Sequence, residues 1–320
     1  MSMRWLFHML SPGGHRGRLP VMIFHRVLPE TDPLFPGEPD AARFDAQLSL
    51  LKRWFNILPL PDAIRGLREE RLPPRPLTLT FDDGYADNCT VALPILQAHG
   101  LSAAFFIATD YLDGGRMWND TVIEAVRGCS QPSLDLAKLD LGTHPIGTSA
   151  EKSRAIAAIL GQLKYLPQGE REAKVAAVAT RCAVALPDSL MLTGDQLRQM
   201  HKAGMTIGAH TASHPILARI PDEQARSEIL KSKERLERAI GESVRFFAYP
   251  NGMPSQDYRA SHVQMVRESG FEAAFSTAIG SADATSDLYQ IPRFRPWGRT
   301  PTRYGLRLAK SLARRSFATA

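Results

Sequence analysis

A chain of 320 residues, 44% hydrophobic and 22% charged, has the make-up of a soluble globular protein able to bury one large α/β core or two ordinary ones. Its formal charge of +6 and pI near 9.3 favour acidic partners such as anionic glycans or a lipid surface. The scattered Lys and Arg lack the dense, aromatic-interleaved stripe of a nucleic-acid reader, so no nucleic-acid partner is expected. Cys89, Cys129 and Cys182 stand far apart with no CxxC spacing, which argues against a disulfide framework and fits a reducing compartment.

Residues 1–19 read as an N-terminal extension. Their apolar stretch "MSMRWLFHML" is broken by His8 and stopped by Pro12-Gly13-Gly14, too short for a transmembrane helix and poor as a secretory signal. A cytoplasmic location is the expectation. Strands are predicted near 21–24, 55–58, 77–81, 103–108, 205–209, 245–248, 272–276 and 289–293, and helices near 41–53, 61–69, 88–98, 193–203, 222–239 and 257–268. Thr193 and Gln196 have capping-box spacing. Four helices end at a glycine that leads into an apolar strand, at Gly100, Gly204, Gly241 and Gly270. Such repeated α-to-β alternation signals a largely parallel sheet. Residues 112–190 lose the strands and turn Ala-rich, predicting a helical insertion or lid inside a main unit of 20–298. The tail, 299–320, mixes leucines with Arg and Lys. It could touch an anionic membrane face at the periphery of the cell's inner membrane, although a solvated, frayed end is the default expectation.

Seven or eight βα units predict a barrel, whose working residues belong at the C-terminal ends of strands. "VMIF" is followed by His25, "LTLTF" by Asp82 and Asp83, and "MTIGA" by His210 with His214 four residues on. "VRFFA" runs into "YPNG", Tyr249 to Gly252. Turn chemistry explains an isolated Asp-Asp-Gly, but it explains none of these histidines. Two histidines at i, i+4 on a helical turn can share an ion, and one carboxylate completes three protein ligands with positions left open, as in a catalytic zinc-type site.

In "TFDDG", "HTASH" and "FAYPNG" the chain resembles the polysaccharide deacetylases of the NodB homology domain, carbohydrate esterase family 4, over about residues 20–295. The resemblance implies a deformed (β/α) barrel and metal-dependent removal of acetyl from an N-acetylated sugar of a glycan or glycan precursor. It implies Asp82 as general base, Asp83, His210 and His214 as metal ligands, and the Asn251 backbone N–H at the oxyanion. Two carboxylates are then needed because one group cannot both bind the cation and take a proton. The metal is expected to be zinc, with cobalt, nickel and iron(II) open to the same donors.

Two features depart from the usual pattern. The family's general-acid histidine near the C-terminus is missing, since no histidine follows His262. "VMIFHRV" resembles relatives that carry it on the first strand, which assigns the role to His25. The arginine that orients the base is replaced by Ala248, and Arg293 in "IPRFRP" is the candidate substitute. Trp118 and Trp297 could stack on sugar rings or simply pack; His99 and His201 suit helix ends. Two other readings stay open: a hydrolase of another C–N bond, such as a cyclic amide, or a glycan binder without turnover. Oligomeric state is not legible.

Overall fold

The computed structural model describes residues 2–295, 300–314 and 317–320. In chain order its elements are α1 (Met3–Leu10), β1 (Val21–Phe24), α2 (Ala41–Trp54), β2 (Asn56–Ile57), α3 (Leu60–Arg68), β3 (Pro76–Phe81), α4 (Leu93–Ala98) and β4 (Ala104–Ile107). Next come α5 (Trp118–Gly128), β5 (Ser133–Asp135), β6 (Thr143–Pro145), α6 (Ser149–Leu163), α7 (Gln168–Cys182), α8 (Gly194–Lys202) and β7 (Thr206–Ala209). The last are α9 (Asp222–Ile240), β8 (Phe246–Ala248), α10 (Ala260–Glu268), β9 (Ala273–Phe275), β10 (Arg293–Phe294) and α11 (Pro301–Ala313).

The main sheet runs β10-β1-β3-β4-β7-β8-β9, every pair parallel, with β2 alongside β3. The two ends meet through Ile291, whose N–H donates to Ala274 O at 2.9 Å and whose carbonyl accepts from Ser276 N–H at 2.9 Å. Two residues on, Arg293 pairs with Val21 of β1. The sheet is thus nearly closed into a barrel, the α/β fold expected.

Alternation of side chains along the strands sorts the core into two layers. Leu77, Leu79, Phe81, Phe105, Ile107 and Phe247 face the surrounding helices, while Val21, Ala104, Phe106, Phe246 and Phe275 fill the interior. Gly208 is required by that filling: a Cβ there would stand 2.5 Å from the Phe106 ring. Because the sheet is covered on both sides, Thr78 and Thr80 are as buried as the leucines between them.

Most predicted strands fall within two residues of those observed, and the Thr193–Gln196 capping box is present at α8. Five expectations need correction. Residues 112–190 contain an antiparallel ribbon, β5 with β6, which three-residue strands are too short to announce by periodicity. The segment predicted as a strand over 289–293 begins as a 3-10 turn, Leu288–Gln290, since Asp287 caps Tyr289 N–H. The 88–98 helix opens with a π-turn over Asn88–Ala92, and α10 starts at Ala260 rather than near 257. The tail is not frayed: Tyr304, Leu308 and Leu312 of α11 are buried on the body, because helical spacing gathers them on one face.

Candidate active site

The parity that separates interior from exterior also selects the site. Continuing the inward positions of β1, β3, β7 and β10 past their C-terminal ends reaches His25, Asp82, His210 and Arg295, with Arg293 inside the barrel itself. Asp83 would point outward by that parity. Its φ of 78° and the φ of 88° at Gly84 turn the chain so that it joins the cluster; a Cβ on Gly84 would press on Ile107 at 3.0 Å.

Asp83 Oδ1 lies 3.4 Å from His210 Nε2 and 3.4 Å from His214 Nε2, and the three ligand atoms are all within 4.8 Å of one another. Cation bonds of about 2.0–2.1 Å at tetrahedral angles separate neighbouring donors by about 3.3 Å, so the two 3.4 Å spacings match a zinc-sized ion and the wider one between the histidines would contract on binding. His210 Nδ1 stands 2.7 Å from Ala248 O and donates to it, which leaves the Nε2 lone pair facing Asp83. The residues therefore fit a divalent cation. The two histidines do not share a helical turn as their spacing suggests. "HTASH" is an irregular loop with Thr211 at φ 64° and His214 at φ 57°. Glu228 of α9 holds it, accepting from Ala212 N–H at 2.9 Å, Ser213 N–H at 2.8 Å and Ser213 Oγ at 2.8 Å.

Asp82 stands beside this trio, 3.8 Å from His210 Nε2, and is only 2% exposed. Arg293, 1% exposed, clamps it bidentately, Nη1 to Oδ1 at 2.6 Å and Nη2 to Oδ2 at 2.7 Å. The guanidinium is itself aimed by Ser276 O at 3.1 Å and lies over the Phe106 ring. Burial pushes the Asp82 carboxyl up, but Arg293, helped by His210 and His25, outweighs it and holds the group below the usual carboxylate range. Asp83 is lowered as well, the histidines around it overcoming burial. His214 is lowered to about 4 by burial. His210 is raised: burial pulls it down, and the Asp82 and Asp83 carboxylates prevail.

His25 lines the same cavity, with its carbonyl accepting from Asn88 Nδ2 at 2.9 Å. Its pKa is lowered to about 4 by burial and by Arg295, against the pull of Asp83. Arg295 Nη2 sits 2.7 Å from Nδ1, so the imidazole rests neutral and accepts. Asn251 occupies the left-handed region at φ 58°, stabilised by Thr277 Oγ1 donating to its carbonyl at 2.7 Å. Its own N–H donates to no protein group among the described residues.

The cavity over these groups measures about 380 Å³ and is walled on its far side by Trp118 of α5 and by Leu160 and Gly161 of α6. A neighbouring cavity of about 260 Å³ shares His25, Asp83 and Arg295 and is lined by Arg26, Tyr85 and Asp120. There Tyr85 donates to Asp120 Oδ1 at 2.9 Å, and burial pushes the Asp120 carboxyl up to about 7. Trp118 both lines the site and carries the Arg171 guanidinium at 5.1 Å. Trp297 lies outside the described residues. His99 pairs with Asp45 at 2.7 Å, away from the site.

His25, Asp82, Asp83, His210, His214 and Asn251 thus line one cavity, and Arg293 clamps a residue that does. Arg295, Glu228, Tyr85 and Asp120 escape a motif reading. Arg295 alone had a usable signal, because it sits two residues beyond Arg293 and shares its parity. The others act from a helix face or a loop that sequence does not register against the barrel.

Fold and site together define a (β/α) barrel with a cation-ready Asp/His/His cluster and an unliganded carboxylate at its mouth. The family model of polysaccharide deacetylases matches residues 69–274, and the chain belongs to that family. YxkH of Bacillus subtilis (strain 168), named for the same family, is 20% identical over 280 residues, 87% of this chain and 71% of that protein. The peptidoglycan-N-acetylglucosamine deacetylase of Bacillus cereus is 36% identical over 56 residues, 18% of this chain and 20% of its own length. Among solved structures, the Streptococcus pyogenes deacetylase PplD in complex with acetate superposes with a TM-score of 0.60 at 19% identity, over 92% of this chain and 98% of PplD. IcaB from Ammonifex degensii gives 0.58 at 18% identity, over 95% and 99%.

Proposed function

We propose that this protein is a divalent-cation-dependent hydrolase that removes acetyl from an N-acetylated hexosamine in a glycan or glycan precursor. One observation carries the reading. A buried carboxylate, Asp82, is kept ionised by Arg293 within 3.8 Å of a cation-ready trio yet is spared from it, and a mere binding site has no use for such a base. Asp83, His210 and His214 would hold the cation, zinc by donor type, with cobalt, nickel or iron(II) accepted by the same set. When bound, the cation supplies Lewis acidity toward the acetyl carbonyl and an attacking water.

Asp82 takes the proton from that water; Arg293 fixes the orientation of both its oxygens. The Asn251 N–H, held by a strained backbone and without an acceptor among the described residues, would donate to the oxyanion that forms on the acetyl oxygen. His25 gives the proton to the departing amine. Since it rests neutral under Arg295, the proton it donates is the one Asp82 took from the water, passed on before the amine leaves, so that both residues end the cycle as they began it. The wall from α5 and α6 gives residues 112–190 a role in shaping the cleft for the acylated sugar. The name of PplD as a deacetylase and the N-acetylglucosamine of peptidoglycan in the name of the Bacillus cereus relative support the choice of substrate class.

The test is acetate release from N-acetylated oligosaccharides by protein stripped with a chelator and reloaded with zinc. Turnover that returns with zinc and vanishes in Asp82→Asn is expected. Absence of acetate from every N-acetylated sugar, with ring opening of a cyclic amide instead, would move the reading to a different C–N bond.

A further inference from the structure

The positive charge of this chain is not spread over it. Residues 1–29 and 288–320 together carry 12 of the 39 Lys and Arg and none of the 33 Asp and Glu. The 258 residues between them hold 27 basic and 33 acidic side chains, a net negative body. Of the terminal cations, Arg26, Arg293 and Arg295 belong to the active-site cavities, and the helices of the two segments are brought together by the fold. α1 packs on α11, closely enough that a Cβ on Gly305 would stand 2.5 Å from Met3 Cε, and Arg18 Nη1 donates to Leu312 O at 2.7 Å.

Each helix buries one face and leaves the other outside. On α1, Trp5 is 49% and Met9 52% exposed, flanked by exposed Arg4 and His8. On α11, Leu306 is 55% exposed beside a stripe of exposed cations, Arg303, Arg307, Lys310 and Arg314, at steps of four, three and four residues. That spacing keeps the four on one side of a helix. Between the C-terminal ends of the helices lies a concavity of about 540 Å³ lined by Met9, His15, Arg16, Arg18, Ala313 and one acid, Asp283. Large apolar side chains standing in water among cations, with carboxylates nearly absent, match the two components of an anionic bilayer: acyl chains for the tryptophan, methionine and leucine, phosphates for the arginines. No helix of the described residues is long and apolar enough to cross a membrane, so the contact would be with the surface.

We propose that the joined faces of α1 and α11 form a docking surface for an anionic phospholipid bilayer. Binding does not depend on the catalytic reading and is measured without turnover. A hydrolase held there would meet glycans carried on lipid rather than free polymer.

The experiment is flotation of the full chain with vesicles of phosphatidylcholine alone or of phosphatidylcholine with phosphatidylglycerol. Partition onto the phosphatidylglycerol vesicles only, weakening as salt is raised, is expected. Arg303→Gln/Lys310→Gln/Arg314→Gln should weaken it on the order of a hundredfold, at about one surface cation's contribution each. Trp5→Ser/Leu306→Ser should weaken it by about tenfold or more. All five side chains are exposed, and unchanged thermal unfolding of both variants would exclude a folding defect. Independently, the Trp5 emission, taken as wild type minus Trp5→Phe, should shift to the blue on vesicles. Equal partition onto phosphatidylcholine, or none onto either vesicle, overturns the proposal. So does a dimer in sedimentation that Trp5→Ser/Leu306→Ser dissolves, or tighter binding to a nucleic acid than to vesicles.

Discussion

Replacing Arg293 with methionine would keep the bulk of the side chain but leave Asp82 buried without a counter-charge. Four hydrogen bonds go at once: two to Asp82, one to Ser276 O and one with Thr80 Oγ1. Breaking a buried ion pair from one side costs about 3–5 kcal/mol. With an unfolding entropy of about 2.1 cal/mol/K per residue over 320 residues, each kcal/mol moves the midpoint by ~1.5 °C, so a drop of about 4–7 °C is expected. The chemistry should change in step. In the wild type Arg293 lowers the Asp82 pKa and keeps the base ionised well into acid. In the variant only His210 and His25 are left to oppose burial, the pKa rises, and the acid limb of the rate–pH profile moves to higher pH. Calorimetry and acetate release against pH read the two effects. Adding Asp82→Asn to Arg293→Met removes the stranded charge and should return part of the lost stability, a double-variant coupling that a simple packing defect would not show. An unfolding midpoint within 2 °C of wild type (~1 kcal/mol), together with an unmoved acid limb, would refute the clamp.

Asp83→Ala and His214→Ala should each abolish stoichiometric zinc measured by elemental analysis, whereas Asp82→Asn should retain it while losing turnover. His25→Ala should lower kcat by about 100- to 10,000-fold with zinc content unchanged, the range for a lost general acid; full activity would return the assignment to a strand-end histidine without a role. Asp120→Asn tests the second cavity. Its folded pKa, near 7, lies above the unfolded value of about 3.8, so the native state holds a proton that the unfolded chain has already lost. The Asp120 contribution to the stability of the chelated wild type should therefore fall as pH climbs from about 4 through 7, so the gap between Asp120→Asn and the wild type should widen over that range whatever the histidines at the site add to both. At pH 8 the variant should be more stable by on the order of 2–4 kcal/mol in denaturant unfolding, with little difference near pH 4.

What the sequence by itself determined was local: which segments alternate, where helices stop, and which chemical groups follow each strand. Leu77 to Phe81 alternate, Gly100, Gly204, Gly241 and Gly270 mark helix ends, and His25, Asp82 and His210 stand where inward parity continues past a strand. Those signals lie within a few residues of the features they specify, so one-dimensional reading reaches them. It could also have seen that the carboxylates avoid both termini, a bias masked when charge is averaged along the chain. Only the tertiary structure decided what depends on meetings between distant segments. The 211-residue separation of Arg293 from Asp82 closes only because Ile291 and β10 complete the barrel. The positive φ at Asp83 swings a carboxylate against its parity, and Glu228 on a remote helix shapes the loop that carries His214. The terminal helices, unremarkable apart, become one apolar and cationic face because each buries its other side on the same body. Contacts of this kind are set by closure and packing, which act across the whole chain and leave no periodic trace in any one stretch of it.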